Sequence, residues 1–169
     1  MKKQSKRIAV CGLTVALGAV VMLLGNVLGL GMYLAPMFVG LCLSVVGKEW
    51  GLRFRILLWL AIGLLSFILI SNPEQNLMFI GLFGWYPILR PALQKLPILL
   101  RAAVKFLMFN GIVIALEALL ILVLVPESMG TGLMILLLLL GNVTFFVYDF
   151  AIPRFEVLAE KYRKRIKAL

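Results

Sequence analysis

Apolar runs, broken at glycine, proline and charged clusters, divide the chain into six stretches: Ile8–Leu24, Gly31–Val46, Ile56–Ile70, Leu77–Leu89, Phe106–Val125 and Thr131–Ile152. A helix needs roughly 20 apolar residues, with about 17 to 25 as the working range, to cross the hydrocarbon core of a bilayer. The pattern predicts an all-α fold, a polytopic membrane protein built as a bundle of six transmembrane helices. The third and fourth stretches are short: either flanking turns extend them, or they stop before a full crossing. Ile8–Leu24 follows a basic start, as the core of a secretory leader would. At 17 residues it is longer than the usual leader core of about 7 to 15, and its small residues are spread along it instead of marking a cleavage site. It reads as the first span.

The segments between the runs alternate in character. Gly25–Leu30 has no charge, Ser71–Asn76 reads SNPEQN, and Pro126–Gly130 reads PESMG. Against these stand the N-terminal KKQSKR, the segment Lys48–Arg55, the segment Arg90–Lys105 and the tail from Arg154. Those four basic segments hold four, three, four and six Lys and Arg, which accounts for all 17 in the chain. Lys and Arg in short loops stay on the cytoplasmic side, so both termini are expected inside. Residues 1–7 form a basic cytoplasmic start and residues 153–169 an amphipathic cytoplasmic tail; the whole of 1–169 reads as one membrane domain. In the tail, Phe155, Leu158, Ala159, Tyr162, Ile166 and Leu169 recur at helical spacing among basic residues, suiting an anionic membrane surface or a partner. Pro87, Pro91 and Pro97 predict a bent, interfacial passage through Arg90–Lys105. Trp85 and Tyr86 are assigned to an aromatic belt, and Asp149 is expected to pair with a basic residue.

Composition agrees: 63% of residues are hydrophobic and 14% charged, where a soluble domain has about half and a quarter. Lipid is the solvent. The formal charge of +10 is a topological signal, and no nucleic-acid partner is expected. Cys11 and Cys42 lie in apolar runs without a CxxC spacing, and histidine is absent, which removes metal and cofactor expectations. Without histidine, a P-loop, a GxSxG motif or clustered carboxylates, the chain is not expected to be an enzyme.

Two features carry candidate function. On the first span, Ala9, Gly12, Ala16 and Ala19 follow at steps of three, four and three, placing them on one face. Thr14, Gly18 and Gly25 make a second small face. Small side chains let helix backbones approach closely in lipid, so one face can pack inside the bundle and the other can dock a partner, or both can pack inside. At membrane depth, Glu117 is a carboxyl group expected to face the bundle interior as a ligand-binding residue; a structural acid bonded to a neighbouring helix, through Asn142, is the other reading. Asn110, Asn142 and Thr144 suit interhelical hydrogen bonds. Asn26, Tyr33, Asn72, Gln75 and Asn76 cluster in or beside two loops, either as a pocket rim or as solvated loop residues.

Taken over its length, span number, termini and the small face of its first helix, the chain resembles the S components of energy-coupling factor vitamin importers. The Gly12/Ala16 pair supplies their four-residue spacing, with glycine in place of one alanine. The resemblance implies a location in a bacterial plasma membrane, and a substrate-binding subunit that takes a vitamin or related small-molecule nutrient and docks through Ala9, Gly12, Ala16 and Ala19 onto a transmembrane coupling subunit served by ATPases. It also implies an outer-half site of Glu117, Asn142, Asn26, Tyr33, Asn72 and Asn76, closed by the loops around Asn26–Tyr33 and Ser71–Asn76. The competing class is a non-transporting scaffold of the MreD cell-shape type. Convergence of Glu117, Asn142 and the loop polar groups on one cavity would separate the two.

Overall fold

The computed structural model describes residues 2–28, 33–48, 51–123 and 131–168, and these are helical apart from short turns. In chain order the helices are α1 (Lys2–Val27), α2 (Leu34–Lys48), α3 (Leu52–Leu69), α4 (Pro73–Met78), α5 (Tyr86–Leu93), α6 (Ile98–Val123) and α7 (Thr131–Ala168), with a π-helical turn at Phe79–Phe83 between α4 and α5. Among the described residues four helical stretches are long and apolar enough to cross a membrane: Arg7–Val27, Leu52–Leu69, Ile98–Leu122 and Leu138–Tyr162. Leu34–Val46 is a shorter apolar helix. Each of the six expected stretches corresponds to a helix or, for the fourth, to the joined α4–π–α5 segment.

The helices are apolar on their outer sides as well as within. Ile68, Leu99 and Leu122 are 81%, 84% and 85% exposed, which suits hydrocarbon and not water. The interior is two adjoining clusters. One gathers Met22, Val39, Leu43, Leu58 and Ile62 from α1, α2 and α3 around Phe79. The other gathers Met37, Leu82, Phe83, Tyr86, Phe109, Phe145 and Tyr148. The π turn belongs to both, so the α4–π–α5 segment is the central element.

That centre depends on one close approach. A Cβ on Gly40 of α2 would collide with the Tyr148 hydroxyl and the Phe83 carbonyl, which are joined by a hydrogen bond of 2.7 Å donated by Tyr148. Glycine is required there because three elements meet at one point. The π turn closes with Gly84 N donating to Phe79 O at 2.8 Å, five residues back, and the added residue lets Phe79, Leu82 and Phe83 all turn inward.

Several boundaries differ from the sequence pattern: α1 begins at Lys2 and α3 at Leu52, inside the expected basic segments, and α4 takes Pro73–Asn76 of an expected loop. The break between the fourth and fifth stretches is confined to Gln94–Pro97, and Arg101 and Lys105 already lie on α6. Pro91 does not end α5, and Pro153 does not end α7, which continues to Ala168. Proline removes one donor from a helix, yet in an apolar surround any other backbone form leaves more groups unsatisfied. The tail is therefore a continuation of the last helix, anchored near its start by a ring contact of Phe155 with Phe38, 6.4 Å between centroids. The expected loop Pro126–Gly130 with Glu127, and the middle of Asn26–Tyr33, lie outside the described residues.

Candidate functional site

The most developed polar site lies where α5, α6 and α7 meet. Tyr86 and Arg90 are one turn apart on α5, Arg101 and Lys105 one turn apart on α6, so each pair shares a helix face. They converge with Asp149 of α7. Asp149 Oδ1 accepts from the Tyr86 hydroxyl at 2.5 Å and from Arg90 Nε at 3.0 Å, and Oδ2 accepts from Lys105 Nζ at 2.6 Å. Turned so that its side-chain oxygen faces Arg90, Gln94 accepts from both guanidinium terminal nitrogens at 2.8 and 3.1 Å. Arg90, Gln94, Arg101, Lys105, Asn142 and Asp149, with an apolar margin including Ile98, Phe106 and Phe146, line a recess of about 300 Å³.

Two helical turns from Asp149, Asn142 lines the recess and meets an amide of α6. Asn110 and Asn142 exchange reciprocal hydrogen bonds of 3.0 and 2.9 Å between α6 and α7, and each also donates to its own helix backbone. This is the interhelical bonding that the sequence suggests for both residues, and it corrects the pairing of Asn142 with Glu117. Tyr86 is also corrected. It is fully buried, packs edge-on against Phe145 at 4.8 Å, and uses its hydroxyl on Asp149 instead of standing in an aromatic belt.

A second polar neighbourhood surrounds α4. Asn72 caps that helix, its side-chain oxygen accepting from Glu74 N at 3.0 Å and Gln75 N at 3.3 Å. Gln75 and Asn76 are buried, and each donates its amide to a backbone carbonyl, of Met22 and Ile70 respectively. Their side-chain oxygens, Oε1 and Oδ1, are buried without a partner among the described residues. Burial and then the charge of Glu117 push the Glu74 carboxyl up to about 7. Tyr33 and Glu117 both stand within electrostatic range of Glu74. Tyr33, Glu74 and Glu117 thus share one electrostatic neighbourhood, with Gln75 and Asn76 on the same short helix as Glu74. Asn26 is half-buried near the end of α1. Asn142 stands apart from this group, in the recess.

The first helix divides its small residues differently from the spacing. Ala9, Gly12 and Ala16 are exposed, and a Cβ on Gly12 meets nothing within 4 Å. Ala19 is buried, as are Gly18 and Gly25. A Cβ on Gly18 would stand 3.0 Å from Ile62 and 3.3 Å from Val39. Thr14 turns its hydroxyl back to Val10 O at 2.8 Å.

Sequence reasoning paired Asp149 with a basic residue but did not see that Arg90, Gln94, Arg101 and Lys105 meet it at one recess. The available signal was the four-residue step from Arg101 to Lys105, which puts two cations on one face of a helix. No known protein family matches the chain, and neither the curated proteins nor the solved structures contain a match to it.

Proposed function

We propose that this chain is the membrane-embedded binding subunit of a small-molecule importer, of the S-component kind, working with a separate coupling subunit and ATPases. The observation that carries the reading is the α4 neighbourhood, where two buried side-chain oxygens lack donors among the described residues, on the same short helix as Glu74. A buried acceptor without a partner is unfavourable by about 1–3 kcal/mol, and a ligand rich in N–H or O–H groups would satisfy it. By the positive-inside rule this end faces outward, opposite Arg90, Arg101 and Lys105. The exposed Ala9, Gly12 and Ala16 offer a coupling subunit a close helix approach.

One observation favours the scaffold reading. Asn142 lines the recess with the basic residues, while Glu117 lies near Tyr33 and Glu74, so the expected site residues do not share a single cavity. Purifying the tagged protein from its native membrane in mild detergent, with mass spectrometry of what is retained, decides between them. Two ATPases and a larger membrane subunit establish the importer. Cell-wall or cell-shape proteins establish the scaffold and make Glu117 a half-buried structural acid.

A further inference from the structure

The recess between α5, α6 and α7 carries more positive charge than it neutralises. Arg90, Arg101 and Lys105 line it against one carboxylate, Asp149, leaving two positive charges uncompensated within the lining. Asp149 is fully engaged, with three donors on its two oxygens. Arg101 makes no ion pair among the described residues. Cations beside hydrocarbon are unfavourable unless an anion meets them. We propose that this recess binds a phosphate-bearing anion, with the Arg101 guanidinium as the planar fork and the Lys105 ammonium as a second contact.

The donor chemistry fits phosphate. A guanidinium offers paired N–H groups that match two phosphate oxygens, and an ammonium adds a compact charge. Lys105 gives Asp149 one of its three N–H donors at 2.6 Å and keeps the others. The margin of the recess favours a lipid headgroup as the source of the phosphate. Ile98, Phe106 and Phe146 are 72%, 56% and 72% exposed, an apolar border along which acyl chains can lie while the headgroup meets the cations. Basic recesses between membrane helices on the cytoplasmic side take anionic headgroups in this way. Free inorganic phosphate carries the same recognition chemistry without the chains. The inference stands apart from the importer reading, which rests on the α4 neighbourhood.

The test uses the whole protein in nanodiscs at matched ionic strength, with thermal unfolding followed by tryptophan fluorescence. One arm compares phosphatidylcholine alone with phosphatidylcholine containing phosphatidylglycerol. The other adds millimolar inorganic phosphate, against chloride, to phosphatidylcholine discs. A rise in midpoint of several degrees is expected with phosphatidylglycerol. Arg101→Gln should remove at least half of it, Arg101→Lys should keep part, and Arg53→Gln, on an exposed turn of α3, should keep all. A rise only in the phosphate arm, with the same dependence on Arg101, supports the site and assigns it to free phosphate. Native mass spectrometry of retained phosphatidylglycerol reads the same dependence if a variant changes intrinsic stability. No rise and no retained anion, or an effect that Arg101→Gln leaves intact or that Arg53→Gln removes equally, overturns the proposal.

Discussion

The two ends of the central segment treat polar groups in opposite ways. At α4, Gln75 and Asn76 spend their donors on backbone carbonyls and leave two oxygens unpartnered near Glu74 and Glu117. At α5, Tyr86 and Arg90 are joined by Lys105 around a saturated carboxylate, and Arg101 is left as a cation in excess. One end is short of donors and the other short of anions. A buried polar group without a partner is unfavourable in any protein and more so beside lipid, so among the described residues both ends leave room for a partner group. The difference teaches what kind: hydrogen-bond donors at one end, negative charge at the other.

Removing Asp149 should produce the largest effect, because it strands Arg90 and Lys105 in the recess. Asp149→Asn is expected to cost about 3 kcal/mol, read as a large drop in the unfolding midpoint in detergent; a neutral outcome would mean the three donors find water freely, and the contrast between the ends would weaken. At the opposite end, if the importer reading holds, Glu117→Gln should leave the midpoint near that of the parent while lowering retention of any small molecule that co-purifies with it. Unchanged binding would take Glu117 out of the site.

Glu74 gives the contrast a pH dependence. Its carboxyl is raised from 4.5 to about 7 in the folded protein, so the folded state favours the protonated form. The stabilisation is complete below about 4.5, declines as pH rises towards 7 and is flat above. The unfolding midpoint should follow that course, and Glu74→Gln should flatten it; a midpoint that rises with pH over the same window would reverse the assignment. The smallest change in stability belongs to α1. Gly12→Leu should shift it by no more than about 0.5 kcal/mol, as for a surface site, yet abolish co-purification of a membrane partner. Gly18→Leu, against Ile62 and Val39, should destabilise by about 1–3 kcal/mol. Equal effects from the two would mean both faces are packed.

Much of the helical plan was legible in the chain because lipid allows few alternatives to a helix. The break at Gly25–Leu30 holds the end of α1, but of the expected loop Ser71–Asn76 only Ser71 and Asn72 lie between helices, and Pro73–Asn76 belong to α4. Pro91 and Pro153 misled, because proline's local preference yields when continuing the helix leaves fewer backbone groups unsatisfied. The spacing of Ala9, Gly12, Ala16 and Ala19 identified a common face, but Ala19 turned inward, since the crossing with α2 and α3 begins partway along α1. Tyr86 looked like a boundary aromatic because its partner, Asp149, lies 63 residues away.

The order of hydrophobic and polar positions, with the placement of 17 basic residues, is enough to determine an all-helical protein whose solvent is lipid. Both properties are additive along the chain and need no knowledge of contacts. Which polar side chains meet was decided only by tertiary structure. The approach of α2 at Gly40 to Phe83 and Tyr148 sets how α7 lies against the central segment, and so brings Asp149 to Tyr86, Arg90 and Lys105. Periodicity places a residue on a face of its own helix; the partner of that face depends on crossings between helices distant in sequence.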